Sequence, residues 1–143
     1  MTSDSPGRTP LRAEPEPELY RAQEQAKPWG HEQIYAGVEG KYVGKVIHVT
    51  AGRSLSLQYH ERKEETICVI SGEADIQYGP LGGDLTTARF GPGDVIHLPP
   101  RAVHRVVAVT DIVFAETSTA PPGWREDVVR LEDAYGRTGT SAP

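Results

Sequence analysis

Residues 52–72 read GRSLSLQYHERKEETICVISG, two short apolar-rich runs, 54–60 and 66–71, joined by a charged turn and bounded by glycine. Successive side chains of a strand point to opposite faces, so Ser54, Ser56, Gln58 and His60 share one side while Leu55, Leu57 and Tyr59 share the other. Two candidate donors, Gln58 and His60, therefore point together. Glu65 follows the turn at 61–64 and returns a carboxylate beside them at the start of the next strand. A second run, GDVIHLPPRAVH at residues 93–104, sets His104 behind the tight turn Pro99-Pro100-Arg101-Ala102. Two imidazoles, a carboxylate and an amide oxygen make a nitrogen and oxygen set for one divalent metal ion, Zn foremost, with Fe, Mn, Ni or Co also suited.

The same texture extends outward from these runs. Further strands are expected at 42–50, 74–78, 84–90, 94–98, 104–109 and 112–117, all rich in Val, Ile, Thr and Tyr and without a helical period of useful length. The 15 glycines and 12 prolines of the 143 residues fall largely between them. Eight antiparallel strands suffice for two packed sheets, so the expected fold is all-β, a jelly roll. Residues 127–135 carry a last strand or a short helix. Pro6, Pro10, Pro15 and Pro17 lie among small and charged residues, so 1–26 reads as a disordered or loosely packed N-terminal tail, with a short helical turn over 19–26. The domain is then 27–137, and 138–143 form a flexible C-terminal tail.

Composition removes several function classes. The length fits one domain. A net charge of −5, from 15 basic and 20 acidic residues scattered along the chain, offers no basic stripe for a phosphate backbone, so no nucleic-acid partner is expected. The apolar runs are far too short to span a bilayer and the N-terminus has no apolar secretory core, so no membrane partner and a cytoplasmic location are expected. The single cysteine, Cys68, excludes an internal disulfide and reads as a buried, inert thiol within the apolar run 67–70.

Gly52, Gln58, His60, Glu65 and Gly72 stand at the spacing of the first cupin motif, and Gly93, Pro99 and His104 at that of the second. Gln58 replaces the commonest histidine, Arg101 a glycine and Ala108 an asparagine. A narrower resemblance lies in KPWG at 27–30, LSLQYH at 55–60 and DVVRLEDAYGR at 127–137, which are similar to the C-terminal domain of type II mannose-6-phosphate isomerases, where a glutamine also precedes the first histidine. The resemblance implies a double-stranded β-helix, the cupin barrel, here as a stand-alone single-domain cupin. It implies Gln58, His60, Glu65 and His104 as metal ligands and a homodimer as the assembly.

The activity so implied is aldose–ketose isomerisation of a sugar or sugar phosphate, with Glu65, Lys45 or a water at the metal as the base. Lys45 alternates with Ile47 and Val49, so its charge must be paired or reach a wet cavity. The resemblance places a lysine there and an arginine at Arg105, making both candidates for holding the substrate's phosphate. The blander alternative has Arg105 as a solvated rim charge and Lys45 snorkelling. Two other functions stay open: an iron-dependent dioxygenase-type cupin, against which Gln58 argues, and a non-catalytic sugar-binding or accessory cupin. His31, His48 and His97 are expected not to be ligands. Arg53 and Arg101 read as surface charges, Arg130 and Arg137 as anchors of the chain end, and the charge run 61–65 as solvated turn apart from Glu65.

Overall fold

A computed structural model describes residues 13–142 and contains eleven strands and no helix among them. In chain order these are β1 (Gln23–Lys27), β2 (Gly30–Val38), β3 (Tyr42–Val49), β4 (Leu57–Tyr59), β5 (Glu65–Ser71), β6 (Ala74–Gly79), β7 (Thr86–Phe90), β8 (Val95–Leu98), β9 (Val103–Ala108), β10 (Ile112–Thr119) and β11 (Val129–Glu132). They form a six-stranded sheet, β1-β2-β3-β10-β5-β8, and a five-stranded sheet, β11-β4-β9-β6-β7, with every pairing antiparallel. The all-β double-stranded β-helix is therefore confirmed.

Period-two alternation supplies the core. Ile47 and Val49 from β3, Ile67 and Val69 from β5, and Ile112 and Phe114 from β10 meet Ala74, Ile76, Val106 and Ala108 of the facing sheet. Burying such side chains is worth roughly 1.5–3 kcal/mol each. These apolar residues fill one end of the barrel, and the inward positions toward the other end are polar.

Several expectations are corrected. Residues 23–27, overlapping the expected helical turn at 19–26, form β1, which pairs with β2 from Gln23↔Ile34 to Lys27↔Gly30. The strands thus begin before Lys27, and β2 went unexpected altogether. The expected strand 54–60 is reduced to β4 and an isolated bridge Ser54↔Val107. Its strict alternation breaks at Leu55, which packs on the core although Ser56 and Leu57 beside it are both buried. The remaining strands sit within two residues of expectation, and the choice left open over 127–135 resolves as β11. Cys68 is half-buried rather than buried, because its neighbours Ile67 and Val69 take the core face. The disorder expected of residues 1–12 falls outside the described residues, as does Pro143; Thr140, within the expected C-terminal tail, accepts a hydrogen bond from Arg130 Nη1 at 2.9 Å.

Two motif glycines separate backbone conformation from crowding. Gly52 and Gly72 have φ of +80° and +82°, but a Cβ on Gly72 would lie 2.1 Å from the Asp111 carbonyl oxygen, whereas one on Gly52 meets nothing within 4 Å. A left-handed non-glycine residue costs roughly 1–2 kcal/mol. Gly52→Ala should lose about 1 kcal/mol and Gly72→Ala at least about 2 kcal/mol in urea unfolding, the excess being the backbone displacement. Equal losses would contradict the crowding.

Candidate metal centre

The two sheets bring the motif residues face to face. In the five-stranded sheet Arg130 on β11 pairs with Gln58 on β4, and Gln58 with His104 on β9, so the three share one inward-facing row. Glu65 opens β5 in the opposite sheet, in register with Ser118 and Leu98. His60 follows β4. His60, Glu65 and His104 each offer a ligand atom, all within 4.8 Å of one another, and all three residues are buried.

The donor atoms fit a cation. His60 Nδ1 donates to the Asp127 carbonyl oxygen at 2.6 Å and His104 Nδ1 to the Ala102 carbonyl oxygen at 3.1 Å. Each ring's proton is thereby assigned to Nδ1, which leaves the Nε2 lone pair free, the usual outer-shell arrangement of metal-binding histidines. His60 Nε2, His104 Nε2 and Glu65 Oε2 are buried and have no hydrogen-bond partner. Orphaned buried atoms are costly unless something fills the space between them. Gln58 Oε1 accepts from Ser56 Oγ at 2.7 Å and retains a second lone pair.

Charge balance supports the same site. Burial opposes ionisation of Glu65, but His60, Lys63 and His104 together hold its carboxyl well below the usual range. Burial lowers the His104 imidazole, outweighing Glu65. At His60, burial is overcome by the adjacent Glu65 charge and the imidazole is raised; a cation would take the place of that proton. Lys63 Nζ lies 3.2 Å from Glu65 Oε1, and despite burial its ammonium is raised by Glu65 and Glu116.

Above these donors a cavity opens, walled by Lys45, Lys63 and Glu116 and continuing to a mouth with Lys27, Glu32, Arg125 and Arg130. Glu32 Oε1 is shared between Lys45 at 3.5 Å and Lys27 at 3.8 Å. Burial lowers Lys27, and its neighbours Lys45, Arg137 and Arg130 add to this while Glu32 opposes it. Arg137 is balanced by Asp133 at 2.9 Å. Arg130 has no carboxylate within ion-pair distance among the described residues, and its buried Nε has no partner.

Of the residues expected at the site, Gln58, His60, Glu65 and Lys45 line the cavity, and His104 lies against Glu65 with Nε2 at 3.7 Å from Oε2. Arg105 does not. Its guanidinium turns away to Glu132, with Nη1 at 3.4 Å from Oε2, because the residue after an inward-facing His104 must face outward. Arg130 and Arg137, read as chain anchors, line the cavity as well. Lys63 lies buried within the run expected to be solvated. Lys27, Glu32 and Glu116 were missed; Glu116 alone carried a usable signal, standing two residues from Phe114 and from Ser118 on the inward face of β10. His31 and His48 stack on each other outside the cavity, His97 is exposed beside Glu64, and Arg101 pairs with Glu61. Arg101 keeps the motif glycine's backbone, with φ of 70°.

Comparison with known proteins agrees with this fold. Residues 45–115 match the cupin domain. The chain is 30% identical over 142 residues to the alginate biosynthesis protein AlgA of Pseudomonas putida, covering 97% of this chain and 26% of that protein. It is also 30% identical over 130 residues to the mannose-1-phosphate guanylyltransferase ManC of Salmonella typhimurium, covering 89% and 26%. The chain thus spans about a quarter of the length of these relatives. Among solved structures, the capsular polysaccharide assembling protein CapF of Staphylococcus aureus superposes with a TM-score of 0.69 at 16% identity, over 80% of this chain and 35% of that one, a likeness of fold. No helix among the described residues is long and apolar enough to cross a membrane. With both motifs in place on a two-sheet barrel, the chain belongs to the cupin family.

Proposed function

We propose that this protein is a metal-dependent aldose–ketose isomerase acting on a sugar phosphate, with Gln58, His60, Glu65 and His104 holding one divalent ion, Zn first among Fe, Mn, Ni and Co. The observation that carries the reading is the surplus of cations directly above the donor set. Lys27 and Lys45 share a single carboxylate, Glu32, and Arg130 has none within ion-pair distance among the described residues, while Lys63 and Arg137 have acidic partners of their own. This excess of positive charge suits a phosphate monoester dianion, and a guanidinium suits its geometry. The similarity to the mannose-1-phosphate guanylyltransferase ManC and the resemblance to type II mannose-6-phosphate isomerases support the same reading.

When bound, the ion supplies Lewis-acid stabilisation of the oxygens on the first two sugar carbons. The chain does the rest. Lys27, Lys45 and Arg130 anchor the phosphate, and the outer hydrogen bonds to Asp127 and Ala102 fix the two imidazoles. Gln58, where a third histidine would suit oxygen chemistry, favours this reading over a dioxygenase. The metal-loaded protein is expected to convert mannose 6-phosphate, and Arg130→Ala to raise KM for it at least tenfold with little change in kcat. Failure to convert any of a panel of aldose phosphates would show the reading to be wrong. We further propose a homodimer that covers one of the open sheet edges. Light scattering should return twice the chain mass.

A further inference from the structure

We propose that Glu116 is the group that carries the proton between the two reacting carbons, an assignment that rests on the isomerase reading above. The reaction needs a side chain that reaches the cavity beside the donor set and is free to take a proton and give it back. Four carboxylates line the cavity: Glu32, Glu65, Glu116 and Asp127. Three are engaged. Glu65 is held by His60 and Lys63, Glu32 by two lysines, and the Asp127 carboxylate accepts the backbone N–H groups of Glu61, Arg62 and Lys63. The lysines are engaged as well, Lys63 with Glu65 and Lys45 with Glu32.

Glu116 is buried in the cavity wall and has neither a hydrogen bond nor an ion pair from its side chain among the described residues. Its position follows from register. On β10 it faces Lys45 of β3 and Ile67 of β5, while Ser118, the next inward residue, faces Glu65. Glu116 is therefore the diagonal neighbour of Glu65 on the same inward face, about 7–8 Å away along the sheet, and both line the cavity. The charged groups around it are Lys45 from β3, Glu32 from β2, Lys63 in the turn before β5, Glu65 at the start of β5, and His60 after β4. Burial and the Glu65 charge push its carboxyl up to about 7, against Lys45, Lys63 and His60. A carboxyl beside the donor set with no partner of its own among the described residues can take a proton and give it back.

The step balances without a redox partner. The Glu116 carboxylate takes the proton from C2 of the open aldose, the C–H electron pair becomes the C1–C2 double bond, and the carbonyl pair moves to O1. A proton then passes from O2 to O1, and Glu116 returns its proton to C1 as the C2 carbonyl forms.

The test compares the metal-loaded full chain with Glu116→Gln and Glu116→Asp, following turnover of mannose 6-phosphate, bound metal per chain, and deuterium incorporation from heavy water. The expected result for Glu116→Gln is a loss of roughly 10²–10⁴ in kcat and of deuterium exchange, with metal content and KM nearly unchanged and the neutral limb of the kcat–pH profile gone. Glu116→Asp should keep part of the rate, and it decides the matter if the glutamine variant does not fold. A glutamine variant within tenfold of wild type, or an aspartate variant with an unaltered rate and pH limb, overturns the assignment and leaves the isomerase reading standing. Wild-type protein inactive on every aldose phosphate overturns both.

Discussion

His104→Ala is expected to lose more than 100-fold in divalent-metal affinity while the barrel stays folded. Removing an outer-shell partner of a metal ligand already costs roughly 10–100-fold, and His104 is placed as a ligand itself. Its Nε2 lone pair faces Glu65 from the opposite sheet with no other partner. Alanine removes one of two imidazoles and leaves Glu65 still paired to Lys63 and His60, so no isolated buried charge is created. Metal present at about 100 times its dissociation constant should stabilise the wild type by about 2.7 kcal/mol, a shift in Tm that the variant should not show. The pH sign is defined. Ligation requires neutral imidazoles, so affinity falls as pH falls, and His60, whose proton Glu65 favours, sets that limit before His104 does. Calorimetric titration with Zn²⁺ checks both; affinity within tenfold of wild type would remove His104 from the ligand set.

Asp127→Ala is expected to cost about 3 kcal/mol of stability while keeping the backbone carbonyl to which His60 Nδ1 donates, so metal affinity should fall far less than in His104→Ala. The Asp127 carboxylate accepts backbone N–H groups from Glu61 at 2.9 Å, Arg62 at 3.0 Å and Lys63 at 2.9 Å. Its own carbonyl accepts from His60 Nδ1. One residue thus shapes the turn between β4 and β5 and aims the imidazole that precedes it. Charge-assisted bonds of this kind are worth roughly 1.5–3 kcal/mol each, reduced here by partial exposure. Burial opposes ionisation, but the three N–H groups win and hold the carboxyl below its ordinary value. A depressed acid contributes its stability fully above its unfolded pKa and loses it as pH falls through the folded one. Wild type should therefore show a steeper acid limb in its denaturation profile than the alanine variant, in which the other depressed acids such as Glu65 remain. Equal Tm values at neutral pH would refute the role of the carboxylate.

The donor set was legible because it is written in local rules: period-two alternation carries Gln58 and His60 together, and turn chemistry returns Glu65 and His104. Arg105 shows the same rule neglected, since an inward His104 already obliged it to face outward. The cavity wall was harder. Lys63, Glu116 and Arg130 stand beside the donors only through pairing between strands distant in the chain, such as Arg130↔Gln58, which no local pattern records. β2 escaped notice for a related reason. Its inward residues include Glu32, facing the cavity instead of the apolar core, so the strand lacks the hydrophobic alternation by which the others are recognised.

The bond from His60 to Asp127 spans 67 positions of sequence, and that separation gives the site an order in time. A chain emerging from the ribosome presents both histidines and Glu65 before the segment that orients the first of them has been made. Until residues 127–137 dock, the nascent barrel holds His60 with its ring unaimed and lacks Arg130 at the cavity mouth. The proposed centre is thus complete only once synthesis has passed Asp127, and a product arrested upstream of that residue lacks the acceptor that orients His60.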